Sequence, residues 1–470
     1  MPLKAKITLP AWVTGTRMYS TPTADLLKEQ PGDEPDDVIF SNNYGVRSIE
    51  LNRPKKLNSL NGSMARKIIP RLQEWQKSQL ANIVVIKGAG RAFCAGGDVA
   101  ALANWNTEGR VGQQRSADYF ALEYKLDHLI ATYTKPYVAF MDGITMGGGV
   151  GLSVHAPFRI ATENTLFAMP ETTIGFFPDV GASFFLPRME GEMGTYLALT
   201  SEQLKGVDVF YHGIATHYIN SASLPDLEGR LAELTFPDYM ELKDRHRIVN
   251  DTIEEFCTGL PAERPHISGK LRETIDSCFS EKHLTIKDIF DALKAVETGP
   301  DPKLAEWAVK TAETMNTRSP TSVLVTLKQM RIGKSWNIAQ AFQEEYNIAA
   351  KFMAHSDFVE GVTARLIRRE KARPQWKPNT FQEVEADQIT EFFRTEETLP
   401  LISSGPGTMY HEYPHAWINL PTEEEVISYM SQGKATSPEE VIEHFFQLRD
   451  GKQGVREKVA EILERKSNAI

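Results

Sequence analysis

Short runs of apolar residues alternate along the first half of the chain with longer stretches in which apolar residues recur every three or four positions. Ile83-Val84-Val85-Ile86 and Tyr137-Val138-Ala139-Phe140-Met141 are apolar throughout, which predicts strands buried on both faces. Val46–Leu51, Arg159-Ile160-Ala161 and Leu166-Phe167-Ala168 predict further strands. Residues 66–75 and 116–131 carry helical spacing, and Pro70 is expected to kink or interrupt the first of these helices. Two of the buried strands run into glycine-rich turns. One is Gly88-Ala89-Gly90-Arg91-Ala92-Phe93-Cys94-Ala95-Gly96-Gly97-Asp98, and the other is Gly143-Ile144-Thr145-Met146-Gly147-Gly148-Gly149. A helix starting at Gly148 and continuing over 150–155 is predicted after the second turn. Strands and helices in alternation specify an α/β unit.

From about residue 237 the strand pattern stops. Residues 271–279, 284–296, 304–315, 321–330 and 338–355 read as helices. A turn-rich stretch, Ser403-Ser404-Gly405-Pro406-Gly407, follows Pro400, and three more helices are then signalled. Thr422 with Glu425 fits a capping box, as does Ser437 with Glu440, where Pro438 would occupy the first helical position. Val455, Val459, Ile462 and Leu463 make one apolar face. The expected organisation is a leader and linker over 1–34, an α/β core over 35–236, a helical region over 237–400 and a helical extension over 401–470.

A chain of 470 residues is too long for one simple core. Its net charge of -10 does not draw nucleic acid to the surface as a whole, although a local basic patch still can. Three cysteines, Cys94, Cys257 and Cys278, form no disulfide framework and point to a reducing compartment. No apolar run is long enough to span a bilayer. The first residues carry Lys4, Lys6, Arg17, Ser20, Thr21 and Thr23 and no acid before Asp25, which suits a mitochondrial transit peptide and hence the matrix. The alternative is a basic cytosolic tail.

The two glycine turns are candidates for chemistry, because glycine lets backbone N–H groups approach a ligand closely. Two such groups converging from different turns would make an oxyanion hole for a thioester carbonyl. Either turn alone reads equally as a tight turn. A dinucleotide fingerprint at Gly88 and Gly90 fails because Phe93 stands where its third glycine belongs.

Ala92-Phe93-Cys94-Ala95-Gly96-Gly97-Asp98 and the turn through Gly147-Gly148-Gly149-Val150-Gly151 together resemble the paired signature of the crotonase superfamily. Leu51-Asn52-Arg53-Pro54-Lys55-Lys56-Leu57-Asn58-Ser59-Leu60 is similar to its first CoA-binding strand and turn. The resemblance runs from about residue 38 to 378. It implies a spiral of ββα repeats over about 38–235, with strands in two stacked sheets and a mainly helical domain packed on it. It also implies an oxyanion hole from the N–H groups of Gly97 and Gly148, and CoA contacts near Arg53 and Lys56. For Lys56 an unpartnered surface lysine is the other reading.

Hydratases of the superfamily place a glutamate where this chain has Gly151, whereas a second carboxylate is kept as Glu171. The block from Phe167 to Pro187 resembles the 3-hydroxyisobutyryl-CoA hydrolase branch, as do Ser319-Pro320-Thr321-Ser322 and Asp357-Phe358-Val359-Glu360-Gly361-Val362. That branch implies thioester hydrolysis in valine breakdown, with 3-hydroxypropionyl-CoA as a second substrate. Glu171, set among Ile174, Phe176 and Phe177, would act as base or nucleophile, its pKa raised by desolvation. Asp179 would take the substrate's 3-hydroxyl, or else cap a helix. Glu123 sits on an apolar stripe with Tyr119, Phe120 and Leu126, as a substrate-site acid or an acid at the stripe's edge. His155 reads as a satisfied core histidine and Cys94 as a packing residue. No metal-ligand spacing is present, and no separate cofactor is expected, because CoA is part of the substrate.

Two departures leave room for a different role. Arg365, Arg368, Arg369, Lys371, Arg373 and Lys377 form a basic cluster, and the segment beyond about 401 lacks a counterpart in shorter members. Proteins resembling this family have been recruited to the small subunit of the fungal mitochondrial ribosome. The cluster and the extension would then contact that subunit and its rRNA. A solvated face or a CoA phosphate site is the plainer reading of the cluster. Hydration or double-bond isomerisation of an enoyl-CoA is the competing enzyme reading. No membrane or DNA partner is expected.

Overall fold

In the computed structural model, residues 26–433 and 437–466 are described. The transit-peptide reading of the first residues therefore falls mostly outside the described part. The strands of the first half are β1 (Val38–Asn43), β2 (Val46–Leu51), β3 (Ile83–Gly88), β4 (Ala92–Cys94), β5 (Tyr137–Met141), β6 (Ile144–Met146), β7 (Phe158–Ala161), β8 (Leu166–Ala168), β9 (Leu204–Lys205) and β10 (His217–Tyr218). They form a six-stranded sheet in the order β1-β2-β3-β5-β7-β10 and a four-stranded sheet in the order β4-β6-β8-β9. Each turn of the spiral lays one strand in the large sheet and, after a short turn, one in the small sheet. Thus β3 leads to β4, β5 to β6 and β7 to β8. The large sheet is parallel from β2 to β10, and β1 closes its edge as an antiparallel hairpin with β2 through Tyr44 and Gly45.

The helices complete each repeat. Helix α1 (Gly62–Lys77) is capped by Asn61, whose side chain accepts from Met64 N at 2.8 Å. It continues across Pro70, where an interruption was expected. Pro70 is exposed, so the carbonyl that its missing N–H leaves unpaired is on the wet side of the helix. Helix α2 (Val99–Asn106) follows the first glycine turn, and α3 (Arg110–Ala131) is buried along most of its length. The helix expected over 150–155 is shorter than predicted. Only α4 (Gly148–Gly151) is helical, and turns follow it. Successive glycines propagate a helix poorly, and the Ser153 hydroxyl donates to the carbonyls of Gly149 and Val150 at 2.8 and 3.2 Å.

The second half is helical, as its periodicity predicts. Pro302–Thr317 and Pro320–Gly333 are each opened by a capping side chain, Asp301 and Ser319. Another helix of this half, α5 (Ile338–Ala354), packs along α3. The three final helices, Glu423–Ser431, Pro438–Leu448 and Val455–Lys466, lie where the caps and the apolar face placed them. Among the described residues, a large apolar cluster runs from Val38 through Phe342 to Leu463, and a second lies on the other face of the large sheet, where Val46, Ile83, Val85, Val138 and Phe158 pack with Leu227 and Val249. Among the described residues, no helix is long and apolar enough to cross a membrane.

Candidate active site

The site lies where the two glycine turns meet at the small sheet. The turn after β6 places Gly147 at φ 45° and Gly148 at the start of α4. A Cβ on Gly148 would lie 2.4 Å from Glu123 Oε1 and 3.4 Å from Gly97 N, so the two turns touch and a methyl there would have to displace the Glu123 carboxylate. A Cβ on Gly147 would lie 2.9 Å from Glu171 Oε1. Leu60 N donates to Gly96 O and Asp98 N to Leu60 O, both at 2.8 Å, so the backbone groups on either side of Gly97 are consumed. The N–H groups of Gly97 and Gly148 donate to no protein acceptor among the described residues. Because α4 has a single turn, its dipole contributes little, and the free N–H groups themselves carry the site's positive potential.

A cavity of about 440 Å³ opens on these groups and is lined by Gly97, Tyr119, Glu123, Gly148, Glu171 and Asp179, with Pro170, Ile174 and Phe176 as apolar wall. Glu171 opens a short helix, Glu171–Ile174, and is 5% exposed, with Oε2 buried and unpartnered. Burial, then the neighbouring charge of Asp179, push its pKa well above the ordinary carboxyl value. Asp179 is 4% exposed and accepts from Tyr124 Oη at 2.7 Å. Burial raises its pKa to about 7, against the lowering effect of the Tyr124 hydrogen bond. Glu123, the residue before Tyr124 on α3, has an unpartnered Oε1 and a pKa pushed well up by burial and by Asp179.

Asp179 does not cap a helix. The one-turn helix Ala182–Phe185 is held instead by Glu345 of α5, which accepts from Gly181 N at 2.6 Å and Ser183 N at 2.8 Å. His155 is satisfied on both ring nitrogens, and Cys94 is a buried thiol whose pKa burial pushes up to about 12. At the position where hydratases carry a glutamate, the space beside Gly151 is taken by the side chain of Asp127. A Cβ on Gly151 would lie 2.7 Å from the carboxylate of Asp127, a fully buried acid with no partner on either oxygen.

The expected CoA contacts lie in a separate cleft of about 740 Å³ that shares Tyr119 with the inner cavity. Arg53 is buried and already engaged by Glu34, Asp98 and the Ser59 carbonyl. Lys56 is exposed, with one carboxylate, Asp98, at 3.2 Å. Of the basic cluster, Arg365 lines the inner cavity beside Arg318. Arg365 also donates to the carbonyls of Glu370 and Lys371, and Arg373 is tied to Asn316 and Asn379, so part of the cluster braces its own loop. Arg318 was not anticipated. The only signal was its place directly before the Ser319-Pro320-Thr321 stretch.

Residues 46–393 match the family described as enoyl-CoA hydratase/isomerase. The chain is 54% identical over 471 residues to small ribosomal subunit protein mS47 of Neurospora crassa, covering 99% of this chain and 91% of that one. It is 42% identical over 363 residues to the mitochondrial 3-hydroxyisobutyryl-CoA hydrolase of Gallus gallus, covering 77% and 90% of the two chains. Its fold matches the crystal structure of a carnitinyl-CoA dehydratase from Mycobacterium thermoresistibile with a TM-score of 0.67 and 31% identity, over 78% of this chain and all of the other.

Proposed function

Because the chain belongs to the enoyl-CoA hydratase/isomerase family, the crotonases, we propose that its inner cavity hydrolyses the thioester of a 3-hydroxyacyl-CoA, with 3-hydroxyisobutyryl-CoA as principal substrate and 3-hydroxypropionyl-CoA as a second. The observation that carries this reading is the convergence of Glu171 and Asp179 with two unbonded backbone N–H groups in one apolar-walled cavity. Gly97 and Gly148 polarise the thioester carbonyl and hold the oxyanion that forms on attack. Glu171 delivers the attacking oxygen, its own or that of a water it deprotonates. The tetrahedral intermediate expels the CoA thiolate, which takes up a proton. Where water attacked, the free hydroxy acid leaves; where the Glu171 carboxylate attacked, a water then cleaves the resulting anhydride, releasing the hydroxy acid and restoring Glu171.

Asp179 receives the substrate's 3-hydroxyl. The charges of Asp179 and Glu171 oppose one another, and the Tyr124 hydrogen bond favours the charge on Asp179. A hydroxyl donated to Asp179 offsets that charge and eases ionisation of Glu171, so the right substrate helps to generate its own base. Arg318 and Arg365, which line the inner cavity, would meet negative charge near its mouth, and Lys56 would do so in the outer cleft. Enoyl-CoA hydration is disfavoured, because Asp127 occupies the space that a side chain at position 151 would need.

The test is to follow free thiol release by purified protein on 3-hydroxyisobutyryl-CoA, with crotonyl-CoA hydration followed in parallel. Hydrolysis without hydration is the expected result. Hydration with no thiol release would remove the proposal. The working compartment is the mitochondrion, in keeping with the similarity to the mitochondrial hydrolase of Gallus gallus.

A second reading has an observation of its own. The relative named as a ribosomal subunit protein spans 99% of this chain, so its similarity includes the extension beyond residue 393, where the family match ends. Arg368, Arg369, Lys371 and Lys377 are exposed; Arg368 is paired with Glu370 at 2.8 Å, which leaves Arg369, Lys371 and Lys377 to meet phosphates. Association with the mitochondrial small subunit is compatible with hydrolysis, since these residues lie apart from Glu171 and Asp179. Cosedimentation of the endogenous protein with the small subunit supports it, and sedimentation wholly apart from ribosomes excludes it.

A further inference from the structure

Residues 401–420 lie outside the part of the chain that matches the family, yet they run behind the proposed site. Tyr410 Oη donates to the Ala131 carbonyl at 3.1 Å, the Thr408 carbonyl is 3.1 Å from His128 Nε2, and Asn419 Oδ1 accepts from Arg159 at 3.0 Å. At the centre of this strap, Tyr413 Oη is 2.8 Å from His155 Nδ1, and His155 Nε2 is 2.8 Å from the Val180 carbonyl. A carbonyl only accepts, so Nε2 carries the proton and Nδ1 presents its lone pair. The Tyr413 hydroxyl is then the donor, and the three groups form one directional chain.

The end of that chain is a strained point. Val180 has a φ of 55°, a left-handed conformation that β-branched residues rarely adopt. Such backbone persists only where its surroundings over-determine it. Val180 sits between Asp179, the proposed hydroxyl acceptor, and Gly181, where a Cβ would lie 2.3 Å from His155 Nε2. The turn is therefore gripped from two sides. Glu345 holds the N–H groups of Gly181 and Ser183, and His155 holds the carbonyl of Val180. Tyr413 also packs edge-on against Phe184, with ring centroids 5.0 Å apart, which fixes the strap's own position.

We infer that Tyr413 is a positioning residue. Acting through His155, it holds Val180 in the conformation that turns the Asp179 carboxylate into the cavity beside Tyr124. The inference rests on the hydrolase reading of Asp179. It makes the extension a working part of the site, whether or not it has another partner.

The test is Tyr413→Phe in the full chain, which removes the hydroxyl and keeps the ring packing. Two readouts are needed. Hydrogen–deuterium exchange should speed up by roughly tenfold in the peptide spanning 176–184 and stay unchanged in the large sheet, as expected for the loss of one buried hydrogen bond. The preference for 3-hydroxyisobutyryl-CoA over isobutyryl-CoA should fall by roughly tenfold in kcat/KM, because the acceptor is displaced and not the oxyanion hole. In an Asp179→Asn background, the same substitution should then lower the preference no further. Unchanged exchange at 176–184, an even rise across the molecule, or faster exchange with an unchanged preference would each overturn the inference. A wild-type protein that hydrolyses neither thioester would instead defeat the hydrolase reading. The exchange result alone would then decide whether Tyr413 holds the turn.

Discussion

Replacing Asp179 by Asn tests the electrostatics of the site without reference to turnover. The ordinary pKa of the carboxyl is 3.8, and burial in the folded protein brings it to about 7. The folded state therefore binds more protons than the unfolded chain between these values. Stability is full below about pH 4, falls as pH rises through that window, and levels off above about pH 7. At about 1.36 kcal/mol per pH unit, the loss contributed by this one group is on the order of 4 kcal/mol by pH 8. Asn keeps the shape and an acceptor oxygen for Tyr124 but has no charge to bury. Its stability should lack this slope, so the variant should be the more stable protein at pH 8, by up to about 4 kcal/mol. Its new amide N–H groups offset about 1–3 kcal/mol of that gain if they find no acceptor. Glu171 and Glu123 reinforce the effect, because both feel the Asp179 charge and are relieved when it goes. The measurement is the difference in urea-unfolding free energy between the two proteins at intervals from pH 4 to 8. Parallel curves across that range would refute the claim that Asp179 ionises with difficulty in its buried setting.

Glu171→Gln should lower kcat by about 100- to 10,000-fold, with little change in CoA binding by calorimetry, since its contribution is to the transition state. Ordinary turnover would remove the central residue of the proposed mechanism. Gly148→Ala introduces a methyl 2.4 Å from Glu123 Oε1, so we expect at least about a 100-fold loss of thioester hydrolysis, measured by thiol release. Lys452 in the extension is buried against Glu254, which also faces His217 at 3.1 Å. Lys452→Ala should cost about 3–5 kcal/mol in denaturant unfolding, and a loss under 1 kcal/mol would show the extension to be loosely held.

Much of the site was legible in the chain because its chemistry is local. Ile83-Val84-Val85-Ile86 reads as a buried strand from its apolar run alone, and the glycine-rich turns that follow such strands were visible as candidates, though either alone reads equally as a tight turn. Thr422 and Glu425 specify a helix start by bonds made within four residues. The acid of Glu171 and the lost carboxylate at Gly151 were equally readable, since each depends only on which side chain is present. What the chain did not disclose are contacts between segments far apart in it. Pro70 signals a break but lies on the solvent side of an intact helix. The run from Val150 to His155 suggests a continuing helix, yet it ends after one turn, where Ser153 bonds back to Gly149. Asp179 reads equally as a cap until Glu345, more than 160 residues later, is seen to do that work. The basic cluster resolves into a brace, a cavity wall and an exposed face only once folded. Tyr413 carries no motif at all. Its role depends on a strap of 20 residues meeting a histidine 258 residues away in sequence, and no periodicity or cap encodes such a meeting. Local sequence sets which groups can donate, accept or bury themselves. Only the tertiary structure decides which of them are brought within hydrogen-bonding distance in a medium dry enough to make that distance count.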